Sequence, residues 1–234
     1  MRRDLASGVV VNWTGLTLEA EGSARGHGTE DTEAIEQLAR REVDLAIRQG
    51  AERLKLSEDV LLASLMEDSP LGNALVSRLP RWEVAEGRYY TSGKVELRAT
   101  LSLQDLLKPW TLSQARHLPP DDGARSGGPT GLVVDARGVE VEPRWSPRIL
   151  AEDGAEVLVI RMWEDDAVNE PPLVWVSDPA DPAAARAGAG PLFVRAVGAD
   201  GTAVVLGAED AAALRDFATA RPLGEGRVVL VVDP

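Results

Sequence analysis

The sequence contains no cysteine, and this absence excludes disulfide bonds and thiolate metal sites. Only two histidines occur, His27 and His117, and both lie in loop-like surroundings far apart in the chain. A zinc site would therefore depend on carboxylates, and no ligand spacing indicates one. The acidic runs also lack the spacing of a calcium-binding loop. We expect neither a metal nor a cofactor.

Long apolar runs are also missing, because none approaches the roughly 20 residues that a membrane-spanning helix needs. The first residues, MRRDLASG, include two arginines but no apolar h-region, so we expect no signal peptide in this sequence. A methionine directly before such a polar start fits an expression methionine in place of a removed leader. It fits a cytoplasmic protein equally well.

Basic residues are scarce, with 25 Lys and Arg against 38 Asp and Glu and a formal net charge of -13 at pH 7. Nucleic acid is excluded as a partner because its phosphates demand clustered cations. The same deficit excludes a basic patch that seeks anionic lipid. We interpret the acidity as a source of solubility.

Motifs of catalysis are absent as well. The sequence has no GxSxG elbow, and the glycine-rich loop GSARGHGTEDT lacks both the Walker ending and the GxGxxG spacing. Carboxylate pairs such as Asp121-Asp122 and Asp165-Asp166 arise freely among 38 acids. We therefore predict no catalytic residue and no enzymatic activity.

The clearest pattern that is present predicts a helix over 32–56. Its apolar residues follow one another in steps of three and four, which gathers them on one face; they are Ile35, Leu38, Ala39, Val43, Ala46, Ile47, Gly50 and Leu54. Such a helix needs a sheet or another helix to cover that face. Hairpin patterns precede and follow it, so we predict an N-terminal α+β domain over 8–108.

The composition changes at Pro109–Thr130, where four prolines and three glycines predict a linker. Beyond it, Asp153-Gly154 and Asp200-Gly201 each separate two apolar runs, which is typical of β-hairpins. A short helix with Leu214 and Phe217 inward and a last strand complete a C-terminal domain over 131–234. The predicted fold class is α+β, with two small domains that each have a mostly antiparallel sheet and helices packed on one face.

Several segments in this order carry a resemblance to a known family: VVVNWTGLTLEAEGSARG, QLARREVDLAIRQGAERL, EVAEGRYYTSGKVELRATLSL, GLVVDARGVEVEPRWSPRILAEDGAEV and the closing AEDAAALR with GRVVLVVD. Over about 8–233 the chain resembles the LPP lipoprotein family related to flagellar assembly protein T. The resemblance implies a protein of the envelope of a two-membrane bacterium, periplasmic or tethered to the outer membrane by lipid. It also implies a scaffold or assembly component with envelope proteins as partners. The lipobox cysteine is missing, so only a removed segment would carry a lipid anchor.

The candidate partner surface is Arg137, Arg144, Trp145 and Arg148, because Trp and Arg are enriched where proteins meet. Two structural alternatives stay open: Trp145 covers the domain core, and Asp135 and Arg137 form a local salt bridge. Trp163 and Trp175 bracket an acidic loop, where an exposed ring would serve a partner or stack on a glycan. The alternative function is therefore a periplasmic module that binds a glycan or small molecule, or hydrolyses a substrate with carboxylates. The sequence indicates neither the partner nor the oligomeric state.

Overall fold

The structure, a computed structural model, describes residues 1–6, 8–26, 31–67, 69–115, 128–160, 162, 164–217 and 221–234. The chain divides into two compact units. The N-terminal unit consists of Arg2–Leu54 and Leu61–Leu107, and the C-terminal unit consists of Lys55–Val60 and Lys108–Pro234 together with Met1. None of the helices in the described ranges is long and apolar enough to cross a membrane.

The N-terminal unit is an antiparallel sheet with helices. Its strands are β1 Arg2–Ala6, β2 Val9–Asn12, β3 Thr17–Arg25, β4 Glu83–Tyr89 and β5 Lys94–Ser102. Its helices are α1 Thr32–Glu52, α2 Leu62–Leu65, α3 Pro70–Val76, a 3-10 turn Leu79–Arg81, and the first residues of α4 Leu103–Gln114. The order across the sheet is β1-β2-β3-β5-β4, and every pair of neighbours is antiparallel. This sheet confirms the expected α+β layer.

Helix α1 packs on β3 and β5. It begins where the Asp31 carboxylate accepts a hydrogen bond from the Ala34 backbone N–H at 2.8 Å, a side-chain N-cap. The side chains of Ile35, Val43 and Ile47 are buried against the sheet, as the periodicity predicts.

The helix lies unusually close to β3. A Cβ added at Gly22 would lie 2.6 Å from the carbonyl oxygen of Ala39 and 2.7 Å from the backbone nitrogen of Val43. Only glycine therefore fits at this point of β3. Leu38, predicted on the buried face, is 45% exposed because it lies at the edge of the apolar stripe, where a turn of about 100° per residue carries it away from the sheet.

The C-terminal unit contains the remaining elements. Its strands are β6 Leu132–Asp135, β7 Arg148–Ala151, β8 Glu156–Val159, β9 Val174–Val176, β10 Leu192–Asp200, β11 Ala203–Leu206 and β12 Val228–Val231. Its helices are the end of α4, α5 Glu164–Ala167, a 3-10 helix Pro182–Ala187, α6 Ala208–Phe217 and α7 Arg221–Gly224. The order across the sheet is β8-β7-β11-β10-β6-β12-β9.

This second sheet is mixed, so the expectation of a mostly antiparallel sheet is wrong for the C-terminal unit. The predicted hairpins β7-β8 and β10-β11 are antiparallel, but β10-β6, β6-β12, β12-β9 and β11-β7 pair in parallel. The burial of the strands gives the physical reason. Every residue of β9 and β12 is buried, as in parallel strands that are covered on both faces.

The units divide between Leu107 and Lys108, beside the predicted end of the N-terminal domain, but the segment that follows is not a simple linker. Leu103–Gln114 is one helix, so the first part of the predicted 109–130 linker is helical, and its residues 116–127 lie outside the described ranges. The segment Lys55–Val60 belongs to the C-terminal unit, although the predicted N-terminal domain included it. Its backbone explains this: the Ser146 N–H donates to the Leu56 carbonyl at 2.7 Å, and Leu56 is fully buried.

We predict that Ile47→Asp unfolds the N-terminal unit. Ile47 is fully buried, so the substitution places an unpaired carboxylate in the core and should cost about 3 kcal/mol or more. Arg41→Glu changes an exposed position of the same helix and should stay within about 0.5 kcal/mol of the parent. Thermal melting followed by circular dichroism measures both, and parent-like melting of Ile47→Asp would contradict the packing described here.

Candidate functional site

Two of the four predicted surface residues are buried. Arg144 is 1% exposed and Trp145 is 3% exposed. The expectation that they form a partner surface is therefore wrong, and the alternative of a tryptophan that covers the core is confirmed. The physical reason is that both polar groups find partners inside the C-terminal unit, which permits their burial.

The Arg144 guanidinium holds the captured segment Lys55–Val60. Its Nη1 donates to the Ser57 carbonyl at 3.1 Å, and its Nε donates to the Glu142 carbonyl at 3.3 Å. Nη2 has no hydrogen-bond partner in the described part of the chain and lies 3.7 Å from the Glu142 carboxylate. Burial lowers the pKa of Arg144, and the Glu142 and Glu58 carboxylates oppose that shift. Arg144 therefore has a structural role, because it binds the segment Lys55–Val60.

Two tryptophans pack beside this arginine. The Trp145 Nε1–H donates to the Thr111 hydroxyl at 3.0 Å, and the Trp175 Nε1–H donates to the Arg144 carbonyl at 2.9 Å. Trp175 is fully buried, so it offers no ring to a glycan. Trp163 and both histidines lie outside the described residues, and their predicted roles are not tested.

Arg148 is the third predicted surface residue, and it stays at the surface in an ion-pair network. Its guanidinium donates to Glu58 at 2.8 Å and to Glu156 at 3.2 Å. The hydrogen bond that Arg148 donates to Glu58 is the main cause that raises the pKa of Arg148. Arg148 therefore ties the captured segment to β7 and does not stand free for a partner.

Arg137, the fourth, is exposed and forms the predicted local salt bridge with Asp135. Its Nε and Nη2 donate to the two carboxylate oxygens at 2.8 and 2.6 Å. These hydrogen bonds are the main cause that lowers the pKa of Asp135. The Gly138 N–H donates to the Asp233 carboxylate at 2.8 Å, so this charge cluster lies where β6 and β12 end.

Ligands of open α/β sheets often bind at the carboxyl ends of parallel strands. Here, however, the Asp135 carboxylate is occupied by Arg137, and the Asp233 carboxylate accepts a backbone N–H. In the residues that the structure describes, no group of three His, Asp or Glu side chains is placed to hold a metal ion. Both carboxylates therefore hold the chain where β6 and β12 end, and neither is free to bind a ligand.

The most unusual surface of the C-terminal unit lies on β10, and the sequence reasoning missed it. Phe193 is 66% exposed and Val197 is 58% exposed, with exposed Arg195 between them. They alternate with the buried Val194 and Ala196. We call Phe193, Arg195 and Val197 the β10 row. The signal in the sequence was LFVRAVG, a strand with apolar residues at both alternating sets of positions.

A second surface is the uncovered face of the N-terminal sheet. It holds an open depression of about 610 Å³, lined in part by Asp4, Glu19 and Glu21 together with Arg2 and Arg98. Arg98 donates to Glu21 at 2.9 Å, and Arg2 pairs with Glu19. Because arginines neutralise two of these acids, they do not form the free carboxylate pair that hydrolytic chemistry needs.

Comparison with known protein families gives a match for part of the chain. The family model of the second domain of Treponema pallidum Tp0624 matches residues 131–234. All of these residues belong to the C-terminal unit. No curated protein matches the chain. The expected relationship to the lipoprotein family and to flagellar assembly protein T stays a prediction.

We predict that Trp145→Ala destabilises the C-terminal unit by about 3 to 5 kcal/mol, because it leaves a cavity and removes the partner of Thr111. Trp145→Phe keeps most of the volume and should cost less. Chemical denaturation of both variants measures this difference. A variant Trp145→Ala as stable as the parent would show that the ring is not part of the core.

We also predict a pH dependence of the Asp135→Asn variant. The pKa of Asp135 is lowered from its ordinary value of 3.8, so its contribution to stability is complete above that pH and fades as the pH falls through the lowered value. Asp135→Asn should therefore cost about 1 kcal/mol at pH 7. The difference from the parent should shrink below pH 3.8. Unfolding measured across this range tests the trend, and a constant difference would contradict it.

Proposed function

We propose that this protein is a non-enzymatic bacterial envelope protein, periplasmic or associated with the outer membrane, that acts as a scaffold or assembly factor through protein-protein contacts. The observation that carries the proposal is the β10 row. The side chains of Phe193 and Val197 are exposed to solvent there, on a strand that lies between β11 and β6 in the sheet. Other envelope proteins are the proposed partners.

The chemistry of the β10 row suits a protein partner. Burying the exposed part of Phe193 and Val197 would gain hydrophobic free energy at about 25 cal/mol per Å². Arg195 between them adds a cation that forms directed hydrogen bonds with carboxylates or carbonyl groups. Aromatic residues and arginine are also the types that dominate binding energy at interfaces.

The position of the row on a strand also favours binding. Leu192–Arg195 pair in register with β6, and Ala196–Asp200 pair with β11 across one bulge. The backbone under Phe193 and Arg195 is therefore fixed by hydrogen bonds before any partner arrives, and Val197 lies at the bulge. Such preorganisation lowers the entropy cost of association.

The compartment rests on the sequence resemblance described above, which implies an envelope protein. The chain has no cysteine, so it needs no thiol chemistry in an oxidising compartment, and this is compatible with the proposal. The net charge of -13 favours neither nucleic acid nor anionic lipid as the partner. A protein partner fits these properties best.

A photo-crosslinking amino acid at position 197 tests the proposal in cells that naturally make the protein. We expect it to form a discrete adduct with another protein, recovered in the periplasmic or outer-membrane fraction. Phe193→Asp, added to the same chain, should reduce the adduct about tenfold or more, because it removes an anchor side chain of hot-spot type. The melting temperature should stay close to that of the parent, because Phe193 is exposed.

The matched control carries the crosslinker at Glu152, an exposed residue of the β7-β8 turn, and should give no such adduct. Equal adducts at positions 152 and 197 would show nonspecific contact. An adduct unchanged by Phe193→Asp would show that the β10 row does not carry the binding. Recovery only with cytoplasmic proteins would contradict the proposed compartment.

A further inference from the structure

Strand β4 is an open edge of the N-terminal sheet. It is last in the strand order and pairs only with β5 among the described strands. All of its residues except Glu86 are exposed. Its outer row of backbone N–H and C=O groups is therefore available to pair with another strand.

The side chains of β4 leave room for a second backbone. Gly87 lies in the middle of the strand and has no side chain to shield the edge. Proline and lysine, which natural edge strands use to prevent pairing, are absent from Glu83–Tyr89, and the protective features that remain are one bulge and three charged side chains. Val84 and Tyr89, on either side of Gly87, are 37% and 55% exposed.

The charged side chains of β4 favour a partner strand with complementary charges. The register with β5 places Glu86 opposite Arg98 and Arg88 opposite Glu96, on the uncovered face of the sheet. Gly87 lies opposite the buried Leu97, on the face that α1 covers. Glu86 and Arg88 thus lie on the same face, on either side of Gly87. Within one chain the Arg88 Nε donates to the Glu86 carboxylate at 2.7 Å, so pairing with a second copy would exchange this contact for contacts between copies.

We propose that two copies of this chain associate by antiparallel pairing of their β4 strands, with Gly87 of one copy opposite Gly87 of the other. Two-fold symmetry then places Glu86 opposite Arg88 of the second copy, and Arg88 opposite Glu86 of the second copy. Both cross-strand pairs are attractive, and both lie on the same face of the joined sheet.

The neighbouring symmetric registers are unfavourable. A two-fold axis at Glu86 sets two glutamates opposite each other, and an axis at Arg88 sets two arginines opposite each other. Like charges directly opposite are destabilising in a sheet. An axis at position 85 falls on the bulge between Val84 and Glu86, where the backbone leaves the regular ladder. The axis at Gly87 is therefore the favoured one.

The bulge also limits the length of the new ladder. Around Gly87 the regular pairing runs from Glu86 to Arg88, because Ala85 is the bulge residue and Tyr89 would lie opposite it. A ladder this short predicts a reversible dimer whose population depends on protein concentration. Exposed ion pairs are screened by salt, so high ionic strength should weaken the dimer.

Charge reversal tests the register. Sedimentation velocity of the full chain, from micromolar to millimolar concentration, should show a monomer-dimer equilibrium. Glu86→Arg places arginines opposite Arg88 of the second copy, and Arg88→Glu places glutamates opposite Glu86. Each single variant should weaken dimerisation by about tenfold or more, since it converts two attractive pairs into two repulsive ones.

Mixing the two single variants gives a sharper result. A Glu86→Arg chain offers two cations and an Arg88→Glu chain offers two anions, so the mixture should form a heterodimer although neither variant forms a homodimer. This rescue also shows that both variants are folded. Glu83→Arg makes the same change of charge on the same strand but outside the Glu86–Arg88 ladder, and it should leave the dimer unchanged.

Three results would overturn the proposal. The parent could sediment as a monomer at every concentration. The single variants could dimerise like the parent, which would place any dimer contact elsewhere. The single variants could lose the dimer without rescue in the mixture, which would show that local disturbance of β4, and not the register around Gly87, causes the loss. The test does not involve the β10 row, so it is independent of the proposed function.

Discussion

The close approach of α1 to β3 at Gly22 is the constraint on which the N-terminal unit depends. Because no Cβ fits between this strand and the backbone of Ala39 and Val43, the helix lies directly on the sheet and buries Ile35, Val43 and Ile47. The contact fixes which face of the sheet is covered. The opposite face must then be compatible with water, and its charged side chains follow from that requirement.

The charged side chains of the uncovered face pair with one another, and this makes the face a weaker candidate for a binding site. Arg98 pairs with Glu21 at 2.9 Å and lies 3.7 Å from Glu86, while Lys94 pairs with Glu96 at 2.5 Å. Exposed ion pairs of this kind contribute little to stability, but they leave few charges without a partner. The outer backbone N–H and C=O groups of β4 pair with no other described strand, so this edge is the part of the sheet best suited to binding.

Local chemistry made the turns and the main helix predictable. Gly93, Gly154 and Gly201 each adopt a positive φ in the turn of a hairpin that the sequence predicts. Ser69 caps α3 by accepting the Gly72 N–H at 2.9 Å, and Pro70 occupies its first turn. These features depend on neighbours in the chain, and short-range patterns therefore specify them.

Long-range pairing was harder to predict, for a physical reason. Strand β1 follows no strong apolar pattern, because it is an edge strand of mixed polarity, and it was not predicted. The run VVLV was predicted as the last strand, but its continuous apolar character, like that of LVV in β6, indicates burial on both faces and hence parallel pairing. The bond from Ser146 to Leu56 joins residues 90 positions apart, and no local pattern predicts it.

The prediction that Arg144 and Trp145 form a partner surface was wrong for a related reason. Trp and Arg are enriched at interfaces because they combine apolar area with hydrogen-bond donors, and the same combination permits burial when the donors find partners. The carbonyl of Ser57 and the hydroxyl of Thr111 are such partners for Arg144 and Trp145. Phe193 has no polar group, so its side chain forms no hydrogen bond with water. Its exposure is therefore stronger evidence for a binding surface than the occurrence of Trp and Arg in the sequence.

The two proposed surfaces differ in chemistry, and this difference gives them separate roles. The β10 row is apolar with one cation, so it suits a partner that remains bound by buried area. The edge of β4 is polar and self-complementary, so it suits a short, salt-sensitive contact between identical chains. A dimer joined at β4 would carry two β10 rows. A proposed partner with repeated sites would then bind the second row as an intramolecular step, and concentration-dependent pairing at β4 would control the avidity of the proposed scaffold.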